Sequence, residues 1–530
     1  MSDDIHEGLD GPEAALFGQP VGRKDFVFNS AKLLAAAAAA GPFFMAEAQA
    51  EAAIKASTSM TAGDPIAAGA VAAAKQYAGI TLTKTNEAGL QALDDKNFTG
   101  PLWEKLTGIK VSVIEAPFAQ IYSKVIADSI AKTGGIDVID GSPVWMPDFA
   151  ERGVIDPMDA WIKKYKAQST LKDYHPLYQA LMRYKGKTYG FFDDGDVWNL
   201  YYRKDIFGNA KLKAAYKAKF KQNLRVPKTW DEFNQVAQFI TDQLAPKVYG
   251  GGEGRGLGNP GNQFYFFQQF RARGGQFFDP KTMKALINNK IGVKTMQSIM
   301  LELKASAPGI EKLDFVSSWV NWLEGKTAMI YAWPPTGRIS ENYAQRDKAF
   351  SFLPKSKIAG KVGYALMPNL NGEHAGSFVK SISANSKNKE AAYLFSQWAT
   401  SPSISLQRVQ LPYTLRDAYR LSHYRSKQFQ GRWPSAKEYL SALREAANNA
   451  VLDPIMTGAA DYANALDRAM TGIYAGKDIQ KGLDEAAAEW DRITKKLGVD
   501  KQRASYQSFL KLPGATAKNT VAKKGLAVRK

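Results

Sequence analysis

Strand-like and helix-like stretches alternate between residues 79 and 142, and this alternation constrains the fold more than any other feature. Gly79–Lys84 (GITLTK) alternates apolar and polar residues, and IKVSVIEA and GGIDVIDGS are the next two strand-like stretches. Leucines at near-helical spacing follow the first stretch, and Tyr122, Ile126 and Ile130 follow the second. This order predicts a parallel sheet covered by helices on both faces, and therefore an α/β protein.

The same alternation continues beyond residue 142. KTAMIYAW, VGYALMPN and SFVKSISANS have the pattern of strands, and KNKEAAYLFSQWAT has that of a helix. In VPKTWDEF, Thr229 lies three residues before Glu232, which predicts a capping box at the start of another helix. The chain has 530 residues, and domains of roughly 100–200 residues predict at least two of them.

Several kinds of chemistry are excluded or disfavoured by residue types. The chain has no cysteine, so thiolate metal sites and disulfides are excluded. The four histidines are scattered, without the spacing of metal ligands. The glycine-rich stretch GGGEGRGLGNPGN lacks the Lys-Ser/Thr ending of a phosphate-binding loop, so it is interpreted as a long loop. We therefore expect no metal and no cofactor.

The first 50 residues have the features of an export signal. Arg23 and Lys24 precede an apolar run over residues 33–45, and AEAQA then offers cleavage after Ala48 or Ala50. GRKDFVF resembles a twin-arginine signal in which lysine replaces the second arginine, so the choice between folded and unfolded export stays open. Residues 51–78 are alanine-rich and are interpreted as a spacer or a loose helix.

The chain is strongly basic, with a formal net charge of +19. Without residues 1–50, 67 basic and 44 acidic residues remain, a difference of +23. We interpret this as the basic surface of an exported protein rather than as a nucleic-acid site. Residues 511–530 carry six bases and no acid, which predicts a disordered tail; nucleic-acid binding by that tail is the less favoured alternative.

One stretch, YKGKTYGFFDDGDVWNLYYRKDIF, combines carboxylates with aromatic residues. Asp193, Asp194 and Asp196 surround Gly195, and aromatic residues flank them on both sides: Phe191, Phe192, Trp198, Tyr201 and Tyr202. Carboxylates accept hydrogen bonds from hydroxyl groups, and aromatic rings cover apolar faces. This stretch is therefore a candidate binding site.

The order of motifs resembles the family 1 extracellular solute-binding proteins, which are similar to maltose-binding protein and serve carbohydrate ABC importers. The motifs are LTGIKVSV, GIDVIDGSPVWMPDFAERGVIDPMDAWI, the acidic aromatic stretch, VPKTWDEF, WLEGKTAMIYAWPPTG, VGYALMPN and SKNKEAAYLFSQWATS. The resemblance extends from about Gly79 to Pro402. It implies an α/β two-lobe periplasmic-binding-protein fold, type II-like, with the ligand cleft at the hinge.

The resemblance also implies the domain organisation and the function. Lobe 1 is expected over residues 79–195 and 377–425, and lobe 2 over residues 196–376 and 426–510. The protein is expected to be a periplasmic monomer that captures a sugar, oligosaccharide or polyol by hinge closure. It then delivers the ligand to an ABC importer permease, and it is not an enzyme.

The resemblance places the ligand-binding residues by position. Asp196 matches the acidic hinge residue, Trp145 a sugar-contacting segment of lobe 1, and Trp333 the stacking tryptophan of lobe 2. Asp194 and Trp198 adjoin the hinge. Gly376 and Ser377 precede a hinge strand and could offer backbone N–H groups.

Structural alternatives stay open for many of these residues. Asp193 and Asp194 could form a solvated acidic turn, and Trp198 and Tyr201 could belong to the core of lobe 2. Core packing is the preferred interpretation for Trp319, Trp322 and Trp398. Arg338 and Glu253 are expected to be exposed.

Other functions also stay open. The same fold could bind a phosphate ester or a polyamine, and Asp193 with Asp196 could form the carboxylate pair of a glycoside-acting enzyme. The sequence does not identify the ligand, its length or the permease.

Overall fold

The computed structural model describes residues 55, 58–256, 261–343, 350–374 and 376–517. The predicted signal, residues 1–50, lies outside the described residues, as does the tail from residue 518. Within the described ranges, no helix is both long and apolar enough to cross a bilayer.

Twelve strands occur in the described ranges. They are β1 Thr81–Glu87, β2 Lys110–Ala116, β3 Val138–Gly141, β4 Arg183–Tyr184, β5 Lys187–Thr188, β6 Phe191–Asp194, β7 Asn199–Arg203, β8 Met329–Ala332, β9 Val362–Ala365, β10 Gly372–His374, β11 Phe378–Ile382 and β12 Ala450–Leu452.

The α-helices alternate with these strands and dominate after residue 389. Those before the glycine-rich loop are α1 Pro65–Ala74, α2 Leu90–Asp94, α3 Gly100–Thr107, α4 Phe118–Ala131, α5 Met146–Glu151, α6 Asp159–Lys164, α7 Gln168–Leu171, α8 Pro176–Leu181, α9 Lys204–Gly208, α10 Ala210–Phe220 and α11 Trp230–Leu244. Those after it are α12 Gln263–Ala272, α13 Lys290–Lys304, α14 Phe315–Leu323, α15 Pro335–Ser340, α16 Lys389–Ala399, α17 Pro402–Arg408, α18 Leu421–Arg425, α19 Lys427–Gln430, α20 Ala436–Asn448, α21 Ala459–Tyr474, α22 Ile479–Leu497 and α23 Val499–Phe509.

The first sheet has five strands in the order β2-β1-β3-β11-β6. Strands β1, β2 and β3 are parallel, as the alternation predicts. Strand β11, which lies outside the stretch on which the parallel prediction rests, is antiparallel to both β3 and β6, so the sheet as a whole is mixed. Between β6 and β11 the chain forms the second sheet, and β11 then joins the first sheet between β3 and β6, running opposite to both.

The second sheet is smaller and antiparallel, with the order β8-β7-β9. Its strands are almost completely buried, and helix α20 packs against β7 and β9. Strands β10 and β12 form a separate parallel pair. With one sheet in each half, the chain has the predicted α/β two-lobe fold.

Helix α1 lies within residues 51–78, for which a spacer or a loose helix is predicted, and it is a well-packed helix. Ala67, Ala70 and Ala74 are fully buried, and the helix packs on α16. Asp64 caps its start by accepting a hydrogen bond from the Ile66 N–H at 3.0 Å. Small alanine side chains let two helices approach closely, so an alanine-rich stretch that looks weakly patterned is part of the core.

The disordered tail predicted over residues 511–530 does not begin at residue 511. Ala515 and Ala517 are buried, and a Cβ atom on Gly514 would lie 2.5 Å from the Ala450 carbonyl oxygen. Residues 511–517 therefore pack against the chain near strand β12, and the basic composition of the segment concealed this contact.

The predicted cap of α11 is nearly correct. The Thr229 hydroxyl accepts a hydrogen bond from the Glu232 N–H at 3.1 Å, while the Glu232 carboxylate reaches the Lys228 N–H at 2.8 Å. A standard capping box would bond the Thr229 N–H instead.

Candidate functional site

Two segments carry the chain between the sheets, and they touch each other. Strand β6 ends in the first sheet at Asp194, and β7 begins in the second at Asn199. Strand β11 leads back into the first sheet from Ser377. The Ser377 N–H donates to the Asp196 carboxylate at 3.0 Å, and Phe378 pairs with Asp194. The predicted crossover near residue 195 therefore lies where the two sheets meet.

A third segment, residues 417–418, packs against the first crossover. A Cβ atom on Gly195 would lie 2.1 Å from the Ala418 carbonyl oxygen, so only glycine fits there. The Asp417 N–H donates to Asp194 Oδ1 at 2.8 Å, and the Tyr178 hydroxyl donates to the Gly195 carbonyl oxygen at 2.9 Å. These bonds fix the backbone on which the predicted acidic residues stand.

Three carboxyl groups meet at this junction. Asp194, Asp196 and Asp417 are buried, and each offers an oxygen within 4.8 Å of the others. Burial raises the pKa of Asp194 to about 7, against the opposing effect of the Arg416 guanidinium. Burial and the neighbouring carboxylates also hold the pKa of Asp196 well above its ordinary value. Charge at this junction is therefore costly unless a partner compensates it.

Trp333 follows strand β8 and forms an aromatic wall beside the junction. Its half-buried ring lies edge-on to Trp198, with ring centroids 4.7 Å apart, and it also contacts Phe264 and Phe315. A Cβ atom on Gly376 would lie 3.8 Å from Trp333 Nε1 and 3.7 Å from Asp196 Oδ2. An indole and a carboxylate therefore flank one stretch of backbone.

Trp145 lies in a short 3₁₀ turn, Pro143–Trp145, that follows strand β3. Its ring is 6% exposed and packs on Phe118 at 4.9 Å between ring centroids. The preceding Ser142 hydroxyl donates to the Gly376 carbonyl oxygen at 3.1 Å. This turn is thus tied to the second crossover, while the Trp145 ring itself lies among Phe118, Tyr122 and Phe149.

The structure brings most of the predicted site residues together. Asp194, Asp196, Gly376, Ser377, Trp333 and Trp198 surround the junction, and Trp145 is linked to it through Ser142. Trp198 is fully buried under Trp333, and Tyr201 is fully buried as well. Trp319, Trp322 and Trp398 are core residues, as predicted. Ligand contact by each of the predicted residues stays a prediction.

The interpretation of Asp193 and Asp194 as a solvated acidic turn is wrong. Asp193 is fully buried, and its carboxylate bonds Lys380 at 2.9 Å, Arg416 at 3.0 Å and Arg408. Asp194 is 1% exposed and accepts hydrogen bonds from Gln91 Nε2 at 2.6 Å and from the Asp417 N–H. Two of these partners, Arg408 and Arg416, are more than 200 residues away along the chain, and together with Lys380 they remove Asp193 from solvent.

Asp193 belongs to a row of alternating charges across the first sheet. Lys84, Asp140, Lys380 and Asp193 come from neighbouring strands β1, β3, β11 and β6, and consecutive members are 2.9, 3.0 and 2.9 Å apart. We call these four residues, together with Asp94, Asp95, Arg408 and Arg416, the charge network. Its four cations and four carboxylates balance, and all eight side chains are at most 1% exposed.

Arg338 and Glu253 are buried, so the prediction that they are exposed is wrong. Arg338 Nη2 pairs with Asp417 Oδ1 at 2.7 Å, and Glu253 accepts a hydrogen bond from the Tyr331 N–H at 2.8 Å. Both charges are satisfied inside the protein. Arg338 follows strand β8, so its ion pair ties the second sheet's helix α15 to residues 417–418.

Three residues at the junction are missed by the sequence analysis. Asp417 lies in LPYTLRDAYR, Gln91 at the start of α2, and Glu87 at the end of β1. The half-buried Glu87 carboxyl has a pKa raised to about 7 by burial and by Asp194. Glu87 alone had a usable signal, because the carboxyl end of a parallel strand is where ligands bind in open α/β sheets. Arg338 and Asp417 had none, since their pairing is long-range.

A cavity of about 400 Å³ lies beside the Trp145 turn. Pro143, Met146 and Tyr184 line one side, and Ile455 and Phe509 line the other. Its walls therefore come from residues around α5 and α8 and from the C-terminal helices. This cavity is separate from the carboxyl groups at the junction, none of which lines it.

The comparison with protein families decides the assignment. The model of the bacterial extracellular solute-binding proteins matches residues 80–404. The chain belongs to this family. The match covers more than half of the chain and includes both sheets and both crossovers.

Relatives and solved structures agree with this membership. A probable amino-acid ABC transporter periplasmic-binding protein from Sinorhizobium fredii is 26% identical over 56% of this chain and 64% of its own length. The chain thus spans less than two thirds of that relative. A probable ABC transporter-binding protein from Deinococcus radiodurans is 26% identical over 77% of this chain and 91% of its own length.

Two crystal structures of ABC transporter solute-binding proteins share the fold. The protein from Agrobacterium radiobacter K84, in complex with ribitol, has a TM-score of 0.64 and 24% identity and covers 78% of this chain and 99% of its own. The protein from Agrobacterium vitis S4, with bound D-mannitol, has a TM-score of 0.64 and 23% identity, with 79% and 99% covered. The two-lobe architecture is therefore that of solute-binding proteins.

Proposed function

We propose that the chain is the solute-binding subunit of an ABC importer and captures a polyol, sugar or oligosaccharide. The observation that supports this proposal most directly is that the Asp196 carboxylate and the Trp333 indole flank the Gly376 backbone, where the chain passes between the sheets. Capture there, closure of the lobes and delivery to a membrane permease complete the function. The protein acts in the periplasm as a monomer.

The chemistry of the junction suits a polyhydroxylated solute. A carboxylate accepts hydrogen bonds from two hydroxyl groups at once, and each such bond contributes about 1.5–3 kcal/mol. The indole of Trp333 covers the C–H face of the solute. Asp194, Trp198, Trp145 and the backbone of Gly376 and Ser377 complete the proposed contact set. The ribitol- and mannitol-bound proteins of the same fold support this class of ligand.

The two lobes are proposed to move about the crossovers. Lobe 1 comprises residues 79–195 and 377–425, and lobe 2 comprises residues 196–376 and 426–510. Each boundary falls between strands of different sheets. Rotation at these few backbone positions would open and close the cleft without disturbing either sheet.

The alternatives are less well supported by the contacts. A phosphate ester needs an available arginine, and the Arg338 guanidinium is already paired with Asp417. A glycoside-acting enzyme would need Asp193 to reach its substrate, whereas its carboxylate is enclosed by Lys380, Arg408 and Arg416. A binding function therefore explains the junction better than catalysis.

A thermal-shift screen tests this function directly. The panel contains ribitol, D-mannitol, erythritol, maltose, amino acids and polyamines, with EDTA present. At a concentration 100-fold above its dissociation constant, a ligand stabilises the folded protein by about 2.7 kcal/mol. We expect such a shift with at least one polyol or sugar. Shifts confined to amino acids or polyamines would contradict the proposed ligand class.

A further inference from the structure

The three carboxyl groups at the junction have more negative charge than their surroundings compensate. Asp194 and Asp417 are each 1% exposed, and Asp196 is 7% exposed. Their nearest oxygens all lie within 4.8 Å of one another. Carboxylates this close and this buried repel each other strongly unless a positive partner lies between them.

The neighbouring arginines do not supply that partner. Arg338 bonds Asp417 Oδ1 from one side at 2.7 Å. Arg416 faces the group but bonds two carboxylates of the charge network, Asp140 at 2.9 Å and Asp193 at 3.0 Å. The charge network is already balanced, so Arg416 is needed there. One guanidinium therefore serves three carboxyl groups.

A second, independent observation is an amide oxygen without a partner. Gln91 is 3% exposed, and its Nε2 donates to Asp194 Oδ2 at 2.6 Å. The Gln91 amide group is thus attached to the carboxyl cluster through its nitrogen, and its oxygen Oε1 is the other end of the same group. Within the described residues this oxygen accepts no hydrogen bond. A buried acceptor left unpaired next to carboxylates indicates that a positive group belongs there.

Asp417 contributes a further unsatisfied oxygen. Its Oδ2 accepts no hydrogen bond from the described residues. The Tyr439 hydroxyl lies within hydrogen-bonding reach of this carboxyl and of the Pro334 carbonyl oxygen, 3.1 Å away, and its single proton serves only one of them at a time. Three carboxyl groups thus lie together, next to a Gln91 side chain whose amide oxygen is unpaired within the described residues, and oxygens of these two kinds are the ligands that hard divalent cations prefer.

We propose that Asp194, Asp196, Asp417 and the Gln91 amide oxygen form a binding site for a hard divalent cation of the Ca²⁺ type. The spacing fits, because two oxygens on opposite sides of a Ca²⁺ ion at about 2.4 Å each are about 4.8 Å apart. Zinc is disfavoured, since the site offers no histidine or cysteine. The cation binds three segments of chain at the lobe crossing, and this proposal does not depend on which solute is transported.

The test uses the full chain, freed of metal with EDTA and dialysed, at pH 8 and without any polyol. Calorimetric titration with CaCl₂ should show one saturable site, and Ca²⁺ should raise the melting temperature. MgCl₂ should bind more weakly, because Mg²⁺ demands shorter, octahedral coordination. Potassium chloride at matched ionic strength should give neither effect.

Variants locate the site. Asp417→Asn and Gln91→Leu should each weaken Ca²⁺ binding by at least about tenfold. Asp242→Asn, which changes an exposed carboxylate on α11, should leave it unchanged. If the Asp417→Asn protein fails to fold, the Ca²⁺ affinity of the Gln91→Leu protein decides the test.

Terbium gives a second readout that needs no variant. Tb³⁺ bound at the junction should emit on tryptophan excitation, because Trp333 and Trp198 lie close by, and Ca²⁺ should quench this emission by displacement. Absence of saturable Ca²⁺ binding up to millimolar concentration, or full binding by the variants, would overturn the proposal. Solute binding measured in EDTA would stand in either case.

Discussion

Replacing Lys380 by methionine should strongly destabilise the protein. Lys380 is the central cation of the charge network, with its Nζ 3.0 Å from Asp140 and 2.9 Å from Asp193. Methionine has a similar length and fills much of the same volume. The substitution therefore removes charge while leaving packing nearly intact, so the loss reports on the electrostatic contribution.

The expected loss follows from the charge balance. Four carboxylates and four cations become four carboxylates and three cations, all inside the first lobe. Breaking a buried ion pair by removing one partner costs about 3–5 kcal/mol, because an uncompensated charge remains. Lys389→Met is the matched control: it removes an ammonium that pairs with Asp156 at 2.7 Å but is 37% exposed. Exposed pairs contribute about 0.2–1 kcal/mol.

The assay is equilibrium unfolding in urea, followed by tryptophan fluorescence and by circular dichroism. We expect Lys380→Met to lose about 3–5 kcal/mol and Lys389→Met less than about 1 kcal/mol. Combining Lys380→Met with Asp193→Asn should cost less than the sum of the two single changes, since the double variant restores the balance. Equal, small losses for the two lysine variants would refute the charge-network argument.

Three further expectations concern the aromatic wall, the crossover and pH. Trp333→Ala should weaken solute binding by at least about tenfold. Trp161→Ala is the control and should bind normally, because Trp161 is also half-buried and packs on an aromatic ring but lies elsewhere. A Trp333→Ala protein that binds the solute as tightly as the wild type would remove Trp333 from the site. Gly195→Ala should lower the free energy of unfolding by about 1–3 kcal/mol or more, because its Cβ atom would meet the Ala418 carbonyl group. Gly208→Ala is the control: a Cβ atom there meets open space, so its urea unfolding should be nearly unchanged. The Lys380 and Lys84 ammoniums outweigh burial and hold the pKa of Asp140 below its usual value. The stability difference between wild type and Asp140→Asn should therefore be constant above about pH 5 and shrink as the pH falls below about 4; a difference that grows on acidification would contradict this sign.

Local pattern predicted the elements whose partners are near in sequence. Strands β1 to β3 show alternation, and glycine or turn residues mark their ends, so the parallel part of the first sheet was predictable. The crossover at residue 195 was also predictable, since the order of motifs places it between two lobes. For the strands a few neighbouring residues contain the information, whereas the crossover follows from the resemblance of the whole motif order.

Long-range electrostatics could not be predicted in the same way. Asp193 looks like part of an exposed acidic turn until Arg408 and Arg416 are brought to it from more than 200 residues away. Arg338 looks like a lone loop charge because its partner, Asp417, lies 79 residues further along the chain. Ionic pairing of this kind leaves no periodic trace, so burial of charged residues was missed. The burial of the α1 alanines was missed for a related reason, because their close packing depends on α16, which is distant in sequence.

Titration calorimetry of the best solute from the screen, in EDTA, tests the central claim most directly. The account predicts one saturable site per chain for the wild type. Asp196→Asn removes the charge and part of the acceptor capacity, so its affinity should fall about ten- to a hundredfold, equivalent to about 1.5–3 kcal/mol. Asp242→Asn should bind as the wild type does. Unchanged affinity in a folded Asp196→Asn protein would contradict the placement of the solute at the lobe crossing.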